Sequence, residues 1–187
     1  MTMDELAEEL RRNEAEYFGE RVSRLGEIEA WLEGRWEHLS FGPEFEGVGT
    51  FQEARFAYVY GLWMSAIVMS LTAIERHVAQ RLVDSGVSNA ERMNIKDLIE
   101  RAKSAGFVTL EQADEINRLR EVRNDFTHFR RESRFWKTVW ALMDKQRNDE
   151  AESTNFNLIL HKDAKIAVQL ATSYFVSCAH PPINESK

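Results

Sequence analysis

Residues 109–129 read Thr-Leu-Glu-Gln-Ala-Asp-Glu-Ile-Asn-Arg-Leu-Arg-Glu-Val-Arg-Asn-Asp-Phe-Thr-His-Phe. Thr109, followed three residues on by Gln112, forms a capping box in which each side chain satisfies a backbone N–H near the other, so a helix starts there and carries through to about Phe129. At about 100° per residue this helix separates into two faces. Leu119, Val122, Phe126 and Phe129 make one; Arg120, Asn124, Thr127, His128 and Arg131 make the other. Asn124 and His128 are i, i+4 neighbours, while Arg123 stands about 80–140° away from that pair and flanks the polar face.

Outward from this helix the signals stay helical. The three prolines, Pro43, Pro181 and Pro182, all fall outside the candidate helices. A first amphipathic segment covers roughly 3–38, with Leu6, Leu10, Tyr17, Leu25, Ile28, Trp31 and Leu32 interleaved with acids, and Gly19 and Gly26 leave open whether it is continuous or broken. Residues 41–50 read as a loop. Its Gly47-Val48-Gly49 lacks the third glycine and the preceding strand of a nucleotide fingerprint. A long apolar helix follows to about Val83, ended by Ser85-Gly86, and a short one spans about Ile95 to Ala105, closed by Gly106. Two more are expected, from about Ser133 to Arg147 and from Asp163 to Cys178, with the polar linker 148–155 between them. No repeat of solenoid period is present. The expectation is an all-α helical bundle at residues 50–180, preceded by an acidic helical segment at 1–40 and forming one compact domain with it.

One stretch raises the question of a membrane. Phe56 to Ile74 carries no charge, close to the roughly 20 apolar residues of a span, but Tyr58, Tyr60, Gly61, Ser65, Ser70 and Thr72 dilute it. The same helix is expected to continue through Glu75-Arg76-His77, as a central bundle helix does. With 187 residues, 43% of them hydrophobic, the chain can bury one good core. The acidic N-terminus lacks the features of a signal peptide, and a lone cysteine, Cys178, suits a reducing compartment, so the cytoplasm is the expected location.

Charge is unevenly placed. Residues 118–137 hold seven Lys or Arg against three acids, a local balance of +4 in a chain of net charge -7, which leaves -11 for the rest. Such a segment suits a local anion contact, and Trp136 and Trp140 can either stack on bases or fill the core. The acidic first 53 residues argue against broad binding to duplex DNA. Arg123, Asn124 and His128 together supply a fixed cation, a neutral amide and a titratable imidazole, the groups needed to cut a phosphodiester without a metal. The same face can equally be solvated surface. His38, His77, His128, His161 and His180 show no metal-site spacing, and neither serine-nucleophile nor phosphate-loop motifs occur, so no metal or cofactor is expected.

Leu119-Arg-Glu-Val-Arg-Asn-Asp-Phe-Thr-His128 resembles the signature of the HEPN domains, an arginine separated by four to six residues from a histidine, often with a polar residue after the arginine. Arg123, Asn124 and His128 fill those places. The wider order is similar too: a long apolar helix with the acid Glu75 late in it, Lys96 to Gly106 leading into the signature helix, and a late helix. The resemblance covers about residues 50–178 and leaves 1–50 outside. It implies a small α-helical domain, commonly a homodimer whose signature helices face one another across a shared cleft. Many members are metal-independent endoribonucleases, found among toxins, antiphage factors and RNA-processing enzymes.

Carried onto this chain, the resemblance makes His128 the general base or acid, Arg123 the phosphate ligand and Asn124 the residue that orients the imidazole or binds phosphate. Arg120, Thr127 and Arg131 would contact the RNA substrate, and Glu75 would act on the cleft through another side chain or simply pair with a neighbouring arginine. Attack by the 2′-hydroxyl would leave a 2′,3′-cyclic phosphate, and a dimer would let Arg123 and His128 meet across the two-fold axis. A protein inhibitor or operon partner also fits this family. The sequence departs from members silenced by a partner nucleotidyltransferase, because Arg130 stands where their acceptor tyrosine lies two residues after the histidine. The alternative is a catalytically inactive module of the same kind that binds nucleotides, RNA or a protein partner. The acidic N-terminal segment is open to three roles: extra bundle helix, dimer arm or lid.

Overall fold

The computed structural model describes residues 2–32, 34, 46–127, 137 and 156–179. Among them the chain forms α1 (Met3–Leu32), α2 (Glu46–Val59), α3 (Trp63–Asp84), a 3-10 turn (Ala90–Arg92), α4 (Ile95–Ser104), α5 (Leu110–Thr127) and α6 (Phe156–Ala179), with no strand. The architecture is an all-α bundle. None of the described helices is long and apolar enough to cross a membrane.

α3 is the central helix. Ile67, Leu71, Ile74, Val78 and Leu82 recur every three or four residues and are all buried, while small Ala66, Ser70 and Ala73 let neighbouring helices approach. α2 and α6 pack most extensively on it, and α4 and α5 cover it further along. The core between them is filled by Phe51 and Tyr58 from α2 and by Tyr174 and Phe175 from α6, with the Phe51 and Phe175 rings 4.8 Å apart. Only the last turns of α1 join this core, through Ile28 and Leu32.

Helix ends follow from local chemistry. Gly86 and Gly106, expected terminators, adopt left-handed φ of 91° and 73°. Each closes its helix with a paired 6→1 and 5→2 hydrogen bond: Val87 N–H to Leu82 O at 2.9 Å and Gly86 N–H to Val83 O at 2.8 Å, then Phe107 N–H to Ala102 O at 2.8 Å and Gly106 N–H to Lys103 O at 3.1 Å. The capping box is formed as the sequence predicts, with Thr109 N–H donating to Gln112 Oε1 at 2.9 Å and Gln112 N–H to Thr109 Oγ1 at 3.1 Å.

The structure corrects three boundaries and decides one that the sequence left open. The uncharged run 56–74 is two helices rather than part of one long helix. Gly61 at φ 75° ends α2, with Leu62 N–H reaching Ala57 O at 2.8 Å and Gly61 N–H reaching Tyr58 O at 3.1 Å. Glu46–Thr50, read as loop, is the first turn of α2; burial of Phe51, Ala54 and Tyr58 outweighs the poor propensity of Gly47 and Gly49. α1 runs through Gly19 and Gly26 without a break. α6 begins at Phe156, earlier than Asp163. The expected helix over 133–147 lies outside the described residues except for Lys137, which is helical, and the linker 148–155 also lies outside them.

Candidate functional site

α5 is set by its apolar face. Ala113, Ile116 and Leu119 are buried, and Val122 and Phe126 pack against the core at its C-terminal end. This turns Arg123 and Asn124 into half-buried positions and leaves Thr127 exposed, its hydroxyl donating to Arg123 O at 3.0 Å. The face division expected at Leu119, Val122 and Phe126 is the one found.

Arg123 does not point freely into solvent. Its guanidinium Nη1 lies 3.5 Å from Glu75 Oε2 on α3, with the two side chains 20% and 32% exposed. Glu75, expected late in a long helix, sits well inside α3, which continues to Asp84. The contact spans 48 residues of sequence and ties α5 to the central α3. One long hydrogen bond between partly solvated groups is worth no more than about 1 kcal/mol. It aims the guanidinium without locking it.

Two neighbours modify the positive charge read from the sequence. Arg118 donates to Asp163 of α6 and to Glu115 of its own helix, each at 2.8 Å, so its charge is largely neutralised. Arg120 is half-buried, and its Nε has no hydrogen-bond partner among the described residues. The basic segment is therefore weaker as an electrostatic patch than its count suggests. His128 and Arg131 lie outside the described residues, as do Phe129, Arg130, Trp136 and Trp140. Of the expected site residues, the structure places Arg123, Asn124, Arg120 and Thr127 on one helix and brings Glu75 to Arg123.

A cavity of about 560 Å³ is lined by Gly47 of α2, by Glu75, Arg76 and Gln80 of α3, by Glu91 of the 3-10 turn, and by Met93 and Leu98. Two carboxylates against one guanidinium make its polar lining a poor seat for a phosphate. Among the described residues no group of three or more His, Cys, Asp or Glu could hold a metal ion.

A second polar cluster was not legible in the sequence. Glu27 of α1 accepts from Tyr58 of α2 at 2.5 Å and from Lys165 of α6 at 2.7 Å, while His161 stacks on Trp63 with ring centroids 4.5 Å apart. Burial opposes ionisation of Glu27, but the bonds from Lys165 and Tyr58 together outweigh it and hold the carboxyl below its ordinary range. Burial, then Glu27, push the Tyr58 phenol far up. Glu27 is 31 positions from Tyr58 and 138 from Lys165, so no local spacing announces the cluster. The cluster clamps the base of α1 to the bundle.

No family model, curated protein or solved structure matches the chain.

Proposed function

We propose that this protein is a metal-independent endoribonuclease of the HEPN type whose site is Arg123, Asn124 and His128. The observation that carries the reading is the setting of Arg123, half-buried on α5 five positions before His128 in sequence, with Asn124 next in the chain and Glu75 aiming its guanidinium. Phosphate can displace so loose a partner, because a bidentate charge-assisted contact is stronger than a single bond at 3.5 Å.

In this reading the His128 imidazole takes the proton of a ribose 2′-hydroxyl. The 2′-oxygen attacks phosphorus, the 5′-oxygen leaves with a proton from a second imidazolium, and a 2′,3′-cyclic phosphate remains. Arg123 offsets the charge that builds on the phosphoryl oxygens, and Asn124 holds the imidazole or a phosphoryl oxygen. The second imidazole comes from a partner copy across a two-fold axis through the signature helices. Arg120, Thr127 and Arg131 line the approach of the RNA. Cytoplasmic RNA is the natural target, and a toxin or antiphage role, held in check by a protein inhibitor, fits a ribonuclease of this class.

A second reading keeps the fold and drops the chemistry. It is favoured by the carboxylates already facing Arg118 and Arg123, which suit a module that binds a nucleotide or protein through the same face without catalysis. Cleavage of a mixed RNA pool in EDTA separates the two. The ribonuclease reading predicts cyclic phosphate ends from the wild type, a rate lower by about 10² to 10⁴ in His128→Ala and by about 10² in Arg123→Ala. An uncut pool, or cutting that persists in His128→Ala, would move the assignment to the binding module.

A further inference from the structure

The cavity beside Glu75 has a graded lining. Gln80 and Glu91 are exposed, Thr72, Glu75 and Met93 are half-buried, and Ala90 and Leu98 are buried. Its volume of about 560 Å³ falls among small-molecule sites, which run from about 300 to 1,000 Å³ and join an apolar floor to a few polar groups that fix orientation. The 3-10 turn that carries Glu91 packs on α3 and is anchored by the buried Ala90, so the carboxylate is held by the fold.

The chemistry of the lining selects the ligand. A carboxylate accepts two parallel N–H bonds from a planar ligand only where that ligand presents two donors side by side. Of the RNA bases guanine alone does so on its Watson–Crick edge, through N1–H and the N2 amino group. Adenine sets its amino group beside the acceptor N1, cytosine sets its own beside the acceptor N3, and uracil has one N–H between two carbonyls, so each would turn a lone pair toward the carboxylate. Glu75 Oε2 already takes Arg123 Nη1 at 3.5 Å, which leaves Glu91 as the reader of the donor pair. Guanine O6, next along the same edge, needs a donor. Gln80 has one, because its amide Nε2 gives one N–H to Asp84 Oδ1 at 2.8 Å and carries a second. Met93 adds a polarizable thioether against the ring.

The cavity is also tied to Arg123. Glu75 lines it and meets the Arg123 guanidinium at the same time. A phosphate held by Arg123 therefore lies one side chain from the cavity, and in an RNA strand the base nearest a phosphate lies one sugar from it. The acidic lining that makes a poor seat for a phosphate suits a neutral base with two donors.

We propose that this cavity binds a guanine base, with Glu91 accepting from N1–H and the N2 amino group and Gln80 donating to O6, and so selects guanosine beside the bond that is cut. The role of the pocket rests on the ribonuclease reading; its occupancy does not. The test is titration of the protein with each nucleoside, followed by calorimetry and by the methyl NMR signal of Met93, assigned with Met93→Leu. Guanosine should shift that signal and bind about tenfold or more tighter than adenosine, cytidine or uridine. Inosine, which lacks the N2 amino group, should fall between. Glu91→Gln, a change at an exposed position, should keep the wild-type melting temperature and lose about tenfold in guanosine affinity. No binding of guanosine, equal binding of adenosine, or unaltered affinity in Glu91→Gln would overturn the proposal. His128→Ala should keep the guanosine affinity, so the two claims fail separately. Guanosine bound by a protein that cuts no RNA supports the pocket and removes the ribonuclease, whereas RNA cut without preference for guanosine beside the bond removes the pocket and leaves the ribonuclease.

Discussion

His77 sits on α3 against α6, its ring 5.4 Å from that of Tyr174 and 5.3 Å from that of Phe175. Burial, reinforced by Arg81, lowers its pKa to about 4. The folded protein therefore prefers the neutral ring, and the unfolded chain binds the proton more readily. Stability from this residue is complete above about pH 6.5 and declines as pH falls toward about 4, by up to about 3 kcal/mol. Melting temperatures measured across that window should fall with pH in the wild type and fall less in His77→Leu. An equal slope in both would show that the ring titrates normally. Glu75 illustrates what was legible at this scale and what was not. Its charge in an apolar helix singled it out, and pairing with an arginine was the simpler of its two expected roles. That the arginine is Arg123 depends on how α3 and α5 cross, which no local spacing encodes.

Caps decide the elements. Where polar side chains or glycine write the helix end, as at Thr109, Gly86 and Gly106, the sequence shows it directly. Gly61 uses the same hydrogen bonds, but it stands between Tyr60 and Leu62 in an uncharged run, and the apolar continuity hides the turn. Glu46–Thr50 fails for the opposite reason, since its glycines look like loop while tertiary burial of the residues that follow draws it into α2. Gly61→Ala forces a Cβ into the left-handed region at φ 75° and should cost about 1–2 kcal/mol, although the nearest side-chain atom, on Trp63, is at a comfortable 3.5 Å. Thr109→Ala removes one half of the capping box and should cost about 1 kcal/mol. Both appear as shifts of the urea midpoint with an unchanged m-value. A Gly61→Ala variant as stable as the wild type would mean that the α2–α3 corner is not built as described.

At the scale of the molecule, the bundle and the long acidic helix α1 differ in how much of their apolar surface is buried. The bundle sets α5 on α3 so that Arg123 faces Glu75; α1 extends an apolar stripe beyond the core that anchors it. The all-α class was legible because helical periodicity fills most of the chain, and α1 was legible as acidic and amphipathic. That much of its apolar stripe is exposed was not, because an exposed stripe and a buried one have the same period. The proposed function rests on one helix, and its chemistry can be examined at the bond it is proposed to break. The decisive measurement is cleavage in EDTA of a defined RNA and of the same RNA carrying a single 2′-deoxy nucleotide at the mapped site. Attack by the 2′-hydroxyl predicts that the wild-type protein cuts the first and leaves that bond intact in the second. Cleavage of both at the same bond, or of neither, would contradict a ribonuclease built on Arg123 and His128.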